Sequence, residues 1–589
     1  MKKVAGLASF TLLVMLLLGL FKGALLFHME EYSLFSTDPL WLQSFFEQPA
    51  GFFYLAGAFL TQFCAVPLLG ALLLALLLVA LQMLVKETFG CGELVAYLPS
   101  LMLVLFIAHF DYSVYMLHSF GLLFAPVLGA MLSVACLLLY RKALAGRKSA
   151  PLWLALLMVA GYPLFGFYVL FGGLLIAVEA FRSGKKPVGT VLAMAVAGFA
   201  VVFFCSYSNL VYPRINRRFC YLAGLPYRDF VRNTWQFFPL ILCGLSLLLL
   251  PLLQKVRRDW MVYAAAFALV LGFTNWDPNF HSQARMEQAV AKSDWDKVLR
   301  IAKKDKDPTR IQVLYRNIAL YQKGQLTERM FTFPDGAAPL KTGAGDAVTI
   351  SYVCGPAVAF YSGLMRTCER WTMELSVTTV KNLYYYKNQA KVALFTGDYD
   401  LARKYIRTIA QSWFQRRWVA HYGRLAEHPE LMAEDAEARR LLPLLDFDSN
   451  RLDYVGPVET GIIKHYVNAG YTNEAVYEWH MAMLMTSKME YEFLMDFLDH
   501  YEKVGGNVTT GEAQAAALFA GMSGQRDMLG YVAEILSNRQ SVLRDFSRFG
   551  NRLNVTPDLE APGAGDWFKE NFGPTYWYYY YFTSGLATN

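Results

Sequence analysis

Long apolar runs fill the first 275 residues of the chain, and amphipathic helical patterns fill the rest. A helix that spans a bilayer needs roughly 20 apolar residues. The candidate spans are 4–27, 66–85, 93–110, 118–140, 151–181, 188–206, 235–254 and 259–275. The pattern predicts an all-α protein with a polytopic transmembrane domain over 1–275, of about eight or nine membrane segments, and a soluble helical domain over 276–589.

Two apolar runs leave the membrane topology open. The run 51–85 is interrupted near 64–67, so its first part is either re-entrant or interfacial before a full crossing. The run 151–181 carries Pro163 and Gly166 in its middle, which fits either one kinked helix or two short helices. This second choice decides on which side of the membrane the rest of the chain lies.

Basic residues favour the cytoplasmic side of membrane proteins. If 151–181 is a hairpin, thirteen lie inside and five outside; if it crosses once, the ratio is twelve to six. The thirteen are Lys2, Lys3, Lys86, Arg141, Lys142, Arg147, Lys148, Arg182, Lys185, Lys186, Lys255, Arg257 and Arg258. We favour the hairpin because it gives three compact basic loops inside. The second half then lies in the periplasm, outside a bacterial inner membrane.

The composition agrees with an integral membrane protein. Of 589 residues, 55% are hydrophobic and 17% charged, and the net charge is +7. The basic residues cluster at membrane edges and no nucleic-acid motif is present, so we expect no nucleic-acid partner. The N-terminal apolar run is too long for a signal peptide, so we expect an uncleaved first helix. Cys354 and Cys368 lie in the polar half, and the sequence leaves open whether they pair.

The polar half repeats one sequence pattern: an amphipathic helix, a short polar turn and a second helix. Such turns occur at 293–296, 397–400 and 470–473, and further loops are predicted at 334–345 and 505–507. These segments resemble tetratricopeptide-type helical hairpins, with a degenerate consensus and irregular spacing. The resemblance implies a surface for a protein partner. The aromatic end, 576–582, is predicted to pack on the domain or at the membrane surface.

The loop 28–50 carries the strongest functional signal. It places two acids, Glu30 and Glu31, directly after the first apolar run, and aromatic residues follow among polar ones. The segment is predicted to lie along the bilayer surface. A carboxylate at a bilayer edge can act as a general base toward a hydroxyl or bind a divalent metal ion. The alternative interpretation is a hydrated loop.

A second short loop, which contains His109, Asp111 and His118, is expected to emerge on the same face. Together the two loops offer acids and imidazole nitrogens for a divalent cation, and the predicted ligands are Glu31, Asp111 and His109. Histidines and an acid at helix ends without a metal are the alternative.

The loop 206–234 contains five arginines and a single acid, Asp229. Guanidinium groups suit bidentate binding of phosphate, so the predicted phosphate-binding residues are Arg214, Arg217, Arg218, Arg228 and Arg232. The alternatives are contact with anionic lipid headgroups or, if the topology is inverted, an ordinary inside loop.

This layout resembles membrane glycosyltransferases of the GT-C type, which use polyprenyl-phosphate-linked sugars. The segment 28–31 is similar to the His-x-Asp-Glu motif of some mannosyltransferases of that class, with Glu in place of Asp. The resemblance implies that Glu30 or Glu31 is the base or a metal ligand and that Asp111 is the second acid. As a whole, the chain resembles an uncharacterised family of bacterial multi-pass membrane proteins, which implies an architecture and no activity.

Two functions therefore stay open. The first is glycosyl transfer from a polyprenyl-phosphate donor, with Glu30, Glu31 and Asp111 as catalytic residues. The second is a non-enzymatic scaffold whose helical-repeat domain binds envelope proteins. A transporter is less favoured, because Lys22 and Glu179 are the only charges inside apolar runs and both lie near predicted helix ends, where they can reach water.

Overall fold

The structure is a computed structural model, and helices are the only regular secondary structure among the residues that it describes. The described residues are 2–117, 121–183, 187–212, 217–226, 234–254, 256, 258–335, 353–378, 381–445, 458–468, 473–556, 558, 559, 561 and 563–583. The predicted all-α fold is therefore confirmed.

The chain folds as two compact units. The first comprises 1–276 together with two later segments, 376–386 and 407–419. The second comprises 277–375, 387–406 and 420–589. Each later segment of the first unit contains the end of one helix and the start of the next helix. The sequence analysis did not predict that these two helical tips belong with the apolar half.

Most of the first unit is helical. Its α-helices outside the two tips are Lys2–Val14, Gly23–Glu31, Pro39–Phe45, Gly51–Thr61, Pro67–Phe89, Leu98–Ala108, Ala125–Leu139, Ala150–Phe165, Phe167–Ser183, Pro187–Val202, Phe238–Leu253 and Asp259–Phe273. Wider π-helical turns occupy Met15–Phe21, Tyr140–Leu144 and Phe203–Tyr207. Tighter 3-10 turns occupy Gln62–Ala65, Val95–Tyr97, Tyr112–Met116, Arg217–Leu222 and Thr234–Phe237.

Five described helical stretches are long and apolar enough to cross a membrane. They are Lys3–Phe21, Pro67–Phe89, Ala125–Leu144, Val188–Tyr207 and Trp235–Leu253. Shorter apolar helices lie at Gly51–Ala65, Val95–Ala108, Ala150–Phe165 and Asp259–Phe273. The protein is therefore a membrane protein, as its composition predicted.

The ambiguous run around Gly166 folds as two helices, because that glycine takes a backbone φ of +56° that side-chain-bearing residues rarely adopt. A Cβ on Gly161 would lie 2.9 Å from Val169, and one on Gly173 would lie 2.6 Å from Met158. These pairings place the second helix antiparallel to the first. The structure therefore shows the hairpin and not the single kinked helix.

One end of the first unit, here called the Glu30 end, is formed by loops that are distant in sequence. The ring of His28 lies 4.6 Å from that of Tyr115, and the backbone N–H of Asn275 donates to the carbonyl of Ala108 at 3.0 Å. The Gly166 turn also lies here, since the neighbouring N–H of Phe167 donates to the carbonyl of Ala223 at 2.7 Å and Gly224 donates to the hydroxyl of Tyr54.

The opposite end, here called the Lys86 end, gathers charged side chains. Its ion pairs are Lys86 with Glu93, Lys142 with Glu87, and Arg141 with Glu179 at 2.8 Å. The helix Pro67–Phe89 connects the two ends over 23 residues. At 1.5 Å per residue it is about 35 Å long, which matches the thickness of a bilayer core.

The helix Gly51–Thr61 lies along the Glu30 end. The backbone N–H of Ala50 at its start donates to the carbonyl of Pro163, and Thr61 at its end lines a cleft beside His28. Between them Gly57 packs against the backbone of Gly121, which only two glycines permit at this distance. The first part of the run 51–85 is therefore a separate short helix, and the helix long enough to cross a membrane begins at Pro67.

The second unit consists of helices joined by short turns. They are Pro278–Ala291, Trp295–Ala302, Arg310–Gln322, Leu326–Arg329, Gly355–Tyr361, Ala436–Leu445, Val458–Asn468, Glu474–Thr486, Glu490–Lys503, Thr510–Met522, Arg526–Ile535, Gln540–Asn554, Ala564–Phe572 and Tyr576–Phe582, with 3-10 turns at Met330–Thr332 and Pro429–Ala433. Four more helices pass from one unit into the other: Met365–Thr378, Leu383–Phe395, Tyr399–Ile409 and Arg416–Glu427.

Two of the predicted turns are confirmed. Ser293 adopts a φ of +52°, and the carboxylate of Asp294 accepts from the N–H of Lys297 and so caps the next helix. Gly397 has a φ of +82° directly before the helix Tyr399–Ile409. Of the third predicted turn, only Asn473 lies within the described residues, and it caps the helix Glu474–Thr486.

The structure describes some of the remaining predicted loops and the aromatic end of the chain. Gly505 and Gly506 form a turn with positive φ, whereas most of the predicted loop 334–345 lies outside the described residues. The aromatic end folds as the helix Tyr576–Phe582 and packs within the second unit, where Trp577 donates to the carbonyl of Gln514 at 2.7 Å. Both Cys354 and Cys368 are buried and free, so they do not form a disulfide.

Candidate functional site

The two acids of the predicted loop 28–50 are buried. Glu30 and Glu31 are the last residues of the helix Gly23–Glu31, and their exposed fractions are 1% and 4%. A charged carboxylate loses its hydration when it is buried, so it requires hydrogen-bond donors from the protein. The neighbours of Glu30 therefore define the site.

One donor comes from the tip 407–419. The amide of Gln415 donates to the Glu30 carboxylate at 2.7 Å. The same tip is fastened by the amide oxygen of Gln411, which accepts from the hydroxyl of Ser36 at 2.6 Å and from the N–H of Thr37 at 2.8 Å. This tip thus covers the end of the helix that carries the acids.

The tip 376–386 lies against the same loop. The backbone N–H of Leu383 donates to the carbonyl of Ser33 at 3.1 Å, and the ring of Tyr384 stacks on that of Tyr32 with centroids 5.3 Å apart. Sequence reasoning missed both tips. The available signal was a concentration of aromatic and basic residues, in the runs 381–386 and 413–418, unlike the other polar turns.

The loop that begins at His28 and the loop that contains Asp111 meet, as the sequence analysis expected. His28 packs edge-on against Tyr115, and both loops line one cleft. Lining residues include His28, Tyr32, Ser33, Thr61, Val114 and Leu117. The hydroxyl of Ser33 has no hydrogen-bond partner among the described residues. The cleft has a volume of about 30 Å³, which holds water and not a sugar.

Asp111 is held by three hydrogen bonds to one carboxylate oxygen. That oxygen accepts from the N–H and the hydroxyl of Ser113 and from the amide of Gln236, the last at 2.5 Å. Burial disfavours the charged form of the nearby Lys22 amine, and the negative charge of Asp111 opposes that effect. The second acid of the predicted site is therefore ordered by a polar network at the Glu30 end.

Lys22 corrects one expectation. The sequence analysis placed it near a helix end, from which it could reach water, but helical turns continue from Lys2 through Lys22 to Glu31. Lys22 is only 1% exposed. A buried cation inside an apolar helix is a feature of functional sites in membrane proteins.

The predicted metal ligands do not form a metal-binding cluster among the described residues. The ring of His109 bonds through Nδ1 to the carbonyl of Phe273 at 2.9 Å, and because a carbonyl only accepts, Nδ1 carries the proton. Over the described part of the chain, no three His, Cys, Asp or Glu side chains are grouped to hold a metal ion. A metal at Glu31, Asp111 and His109 stays a prediction, and no chemical step below uses one.

Few of the predicted phosphate-binding residues can be placed. Arg217 is exposed, and its guanidinium lies 5.6 Å from the centre of the Tyr207 ring. Arg218 belongs to the turn Arg217–Leu222, but its side chain lies outside the described part. Arg214, Arg228 and Arg232, like His118, fall outside the described residues.

Comparison with known proteins gives a family and no activity. A family model described as a family of unknown function, DUF6057, matches residues 1–583. The chain belongs to this family. No curated protein and no solved structure matches it. The resemblance to an uncharacterised family is thus confirmed for DUF6057, whereas the likenesses to GT-C enzymes and to tetratricopeptide repeats are untested.

The arrangement in this DUF6057 chain has a defined chemical capacity. A carboxylate within hydrogen-bond reach of a bound hydroxyl can accept its proton. The Glu30 end holds carboxylates from two loops, the buried amine of Lys22 and the ring of His28 beside a cleft. This combination can order a polar ligand at the boundary of an apolar helical bundle.

Proposed function

We propose that the protein is a membrane glycosyltransferase that uses a polyprenyl-phosphate-linked sugar as donor. The observation that carries the proposal is the packing of His28 against Tyr115 at 4.6 Å. This contact brings the loop of Glu30 and Glu31 and the loop of Asp111 together at one end of the membrane helices. The GT-C layout requires that same pairing of an acid in the first outer loop with an acid in the second.

In this proposal Glu30 or Glu31 accepts the proton of the acceptor hydroxyl, and Asp111 is the second acid. Arg214, Arg217 and Arg218, with Arg228 and Arg232, hold the lipid phosphate. The cleft is too small for a sugar. Donor binding therefore requires the loops that line it to move apart.

We further propose that the Lys86 end faces the cytoplasm of a bacterium. The Gly166 hairpin supports this orientation, because it returns Arg182 to the end where Lys86, Arg141 and Lys142 lie, and Glu179 there pairs with Arg141 at 2.8 Å. Basic residues favour the inside. The chain leaves the first unit after Asn275 at the Glu30 end, so the second unit follows on the periplasmic side.

Transfer is tested with the full chain in proteoliposomes. The probes are radiolabelled polyprenyl-phosphate mannose, glucose and galactose, with water as the acceptor hydroxyl, and the readout is release of the free sugar from the lipid phosphate, with and without EDTA. Glu30→Gln keeps an oxygen that can accept from Gln415 but removes the base, so we expect turnover to fall about 100-fold or more. Gln415→Ala keeps the carboxylate and is expected to retain measurable turnover.

A scaffold is the second candidate, and a specific observation favours it. Glu30 already receives a hydrogen bond from Gln415, and two tips from the polar half cover the Glu30 end. In a scaffold these contacts only fasten the chain. If the unchanged protein turns over none of the donors and Glu30→Gln folds normally, the glycosyltransferase proposal is excluded. The protein is then a scaffold whose helical repeats bind periplasmic proteins.

A further inference from the structure

The turn inside the tip 407–419 exposes an aromatic side chain. Trp413 lies between the helices Tyr399–Ile409 and Arg416–Glu427, and 55% of it is exposed. Its position is fixed, because its backbone N–H donates to the amide oxygen of Gln62 at 3.1 Å and its neighbour Gln415 donates to Glu30. A large indole held in this way on a surface requires an explanation.

The exposed indole is continuous with the lipid-facing surface of a spanning helix. The Trp413 ring contacts Phe59 and Phe63 edge-on, with centroids 5.3 and 5.9 Å apart. Phe63 lies just before the span Pro67–Phe89. The residues that begin this span have exposed apolar side chains, with 46% exposure at Leu68 and 42% at Leu72. Trp413 therefore lies at the level where the lipid-facing surface begins.

Two exposed arginines follow the indole. Arg416 and Arg417 start the helix after the turn, and neither forms an ion pair with any residue that the structure describes. Tryptophan is enriched at membrane–water interfaces because its ring is amphipathic. Arginine beside it provides bidentate donors for a lipid phosphate. Water-exposed turns in the second unit, such as 523–525, have no such combination.

We propose that the tip 407–419 is a membrane-interface element, in which Trp413 inserts among phospholipid headgroups and Arg416 and Arg417 bind anionic headgroup phosphates. A segment from the polar half of the sequence thereby contacts the bilayer directly. The membrane then helps to hold Gln415 against Glu30. This inference is independent of whether the protein transfers sugars.

Depth of the tip is measured by spin-label EPR on the full chain in nanodiscs of phosphatidylcholine with 30% phosphatidylglycerol. Single cysteines replace Trp413, Leu76 and Val555 in a cysteine-free background. Leu76 is the lipid control, exposed on a spanning helix, and Val555 is the water control on the second unit. We expect the collision ratio of oxygen to nickel chelate at position 413 to fall between the two controls.

A second labelling site leaves Trp413 unchanged. Ala410→Cys is exposed on the same tip, and its depth is compared with and without Trp413→Ala. We expect the label to move toward water when the indole is lost. Arg416→Gln with Arg417→Gln should abolish any difference between nanodiscs with and without phosphatidylglycerol. Values equal to the Val555 control at both 410 and 413 would overturn the proposal.

Discussion

The amide of Gln415 donates to the buried carboxylate of Glu30 at 2.7 Å, across 385 positions of sequence. Glu30 ends a helix of the apolar half, whereas Gln415 belongs to a turn of the polar half. The pair links the residue with the strongest catalytic signal to a segment that the sequence assigned to another domain. Its energetic weight can be measured.

Gln415→Ala is expected to lower the free energy of unfolding by about 1–3 kcal/mol, because a buried carboxylate loses a hydrogen-bond donor. Thermal unfolding in detergent checks this loss. The double variant with Glu30→Gln should cost less than the two single changes together, since no buried charge then lacks its donor. Gln525→Ala, at an exposed position, is the control. An unchanged midpoint for Gln415→Ala would contradict the structural role.

Lys22 and Asp111 should be energetically coupled. Lys22→Met removes the positive charge that interacts with Asp111, together with a buried amine whose charged form burial disfavours; the two effects oppose each other, so we expect a net change of less than about 1 kcal/mol. Asp111→Asn should have a smaller effect in the Lys22→Met background than in the unchanged chain, because its partner charge is then absent. The measurement is a double-mutant cycle on thermal stability, with the exposed Lys148→Met as control. Strict additivity would show that the two side chains do not interact.

The crossing of Gly57 and Gly121 should tolerate no side chain. A Cβ on Gly57 would lie 2.7 Å from the Cα of Gly121, a backbone atom that cannot move aside. We expect Gly57→Ala to destabilise the protein by about 1–3 kcal/mol through overpacking. Gly272→Ala is the matched control, because nothing lies within 4 Å of its Cβ and alanine favours helices. The measurements are size-exclusion chromatography and thermal unfolding in detergent. Equal elution profiles and equal melting temperatures for Gly57→Ala and Gly272→Ala would refute the close contact.

The proposed orientation predicts a labelling pattern. Leu40 is 78% exposed at the Glu30 end, Ser149 is exposed near the Lys86 end, and Ser523 is exposed on the second unit. With single cysteines at these positions, a membrane-impermeant maleimide should label 40 and 523 in intact spheroplasts. Position 149 should react only after lysis. Labelling of 149 alone would invert the topology and remove the periplasmic site.

Glu512 should make the second unit less stable as the pH rises. Burial raises the pKa of this carboxyl from 4.5 to about 7. Between those values the unfolded chain releases its proton while the folded chain keeps it, so the free energy of unfolding falls by up to about 3 kcal/mol. Below pH 4.5 this contribution is fully present. Glu512→Gln can still cap its helix at Thr509 and should flatten the decline in melting temperature from pH 5 to pH 8.

Local pattern predicted much of the fold, because hydrophobic period and turn residues act over a few positions. Gly166 signalled the hairpin since only glycine adopts its backbone conformation easily, and Ser293 with Asp294 marked a turn by capping. The meeting of the two outer loops followed from counting crossings. These predictions required no knowledge of distant contacts.

The rest depended on contacts that local pattern does not encode. A single glutamine in a polar turn gives no sign that it will pair with Glu30, so the sequence analysis missed the packing of the tip 407–419 against Glu30. Lys22 was misjudged because a cation near the end of an apolar run usually reaches water. Its burial depends on neighbours such as Pro67, which packs beside the adjacent Gly23.

The late position of the tip 407–419 has a consequence for biosynthesis. After Trp276 is added to the nascent chain, about 140 further residues must be made before Gln415 exists, which takes roughly 7–30 s at the usual 5–20 residues per second. During that interval Glu30 has no glutamine donor, and a nascent chain halted after the apolar half cannot supply one. The part of the protein that is translated first is therefore completed only when the polar half has followed it out of the ribosome.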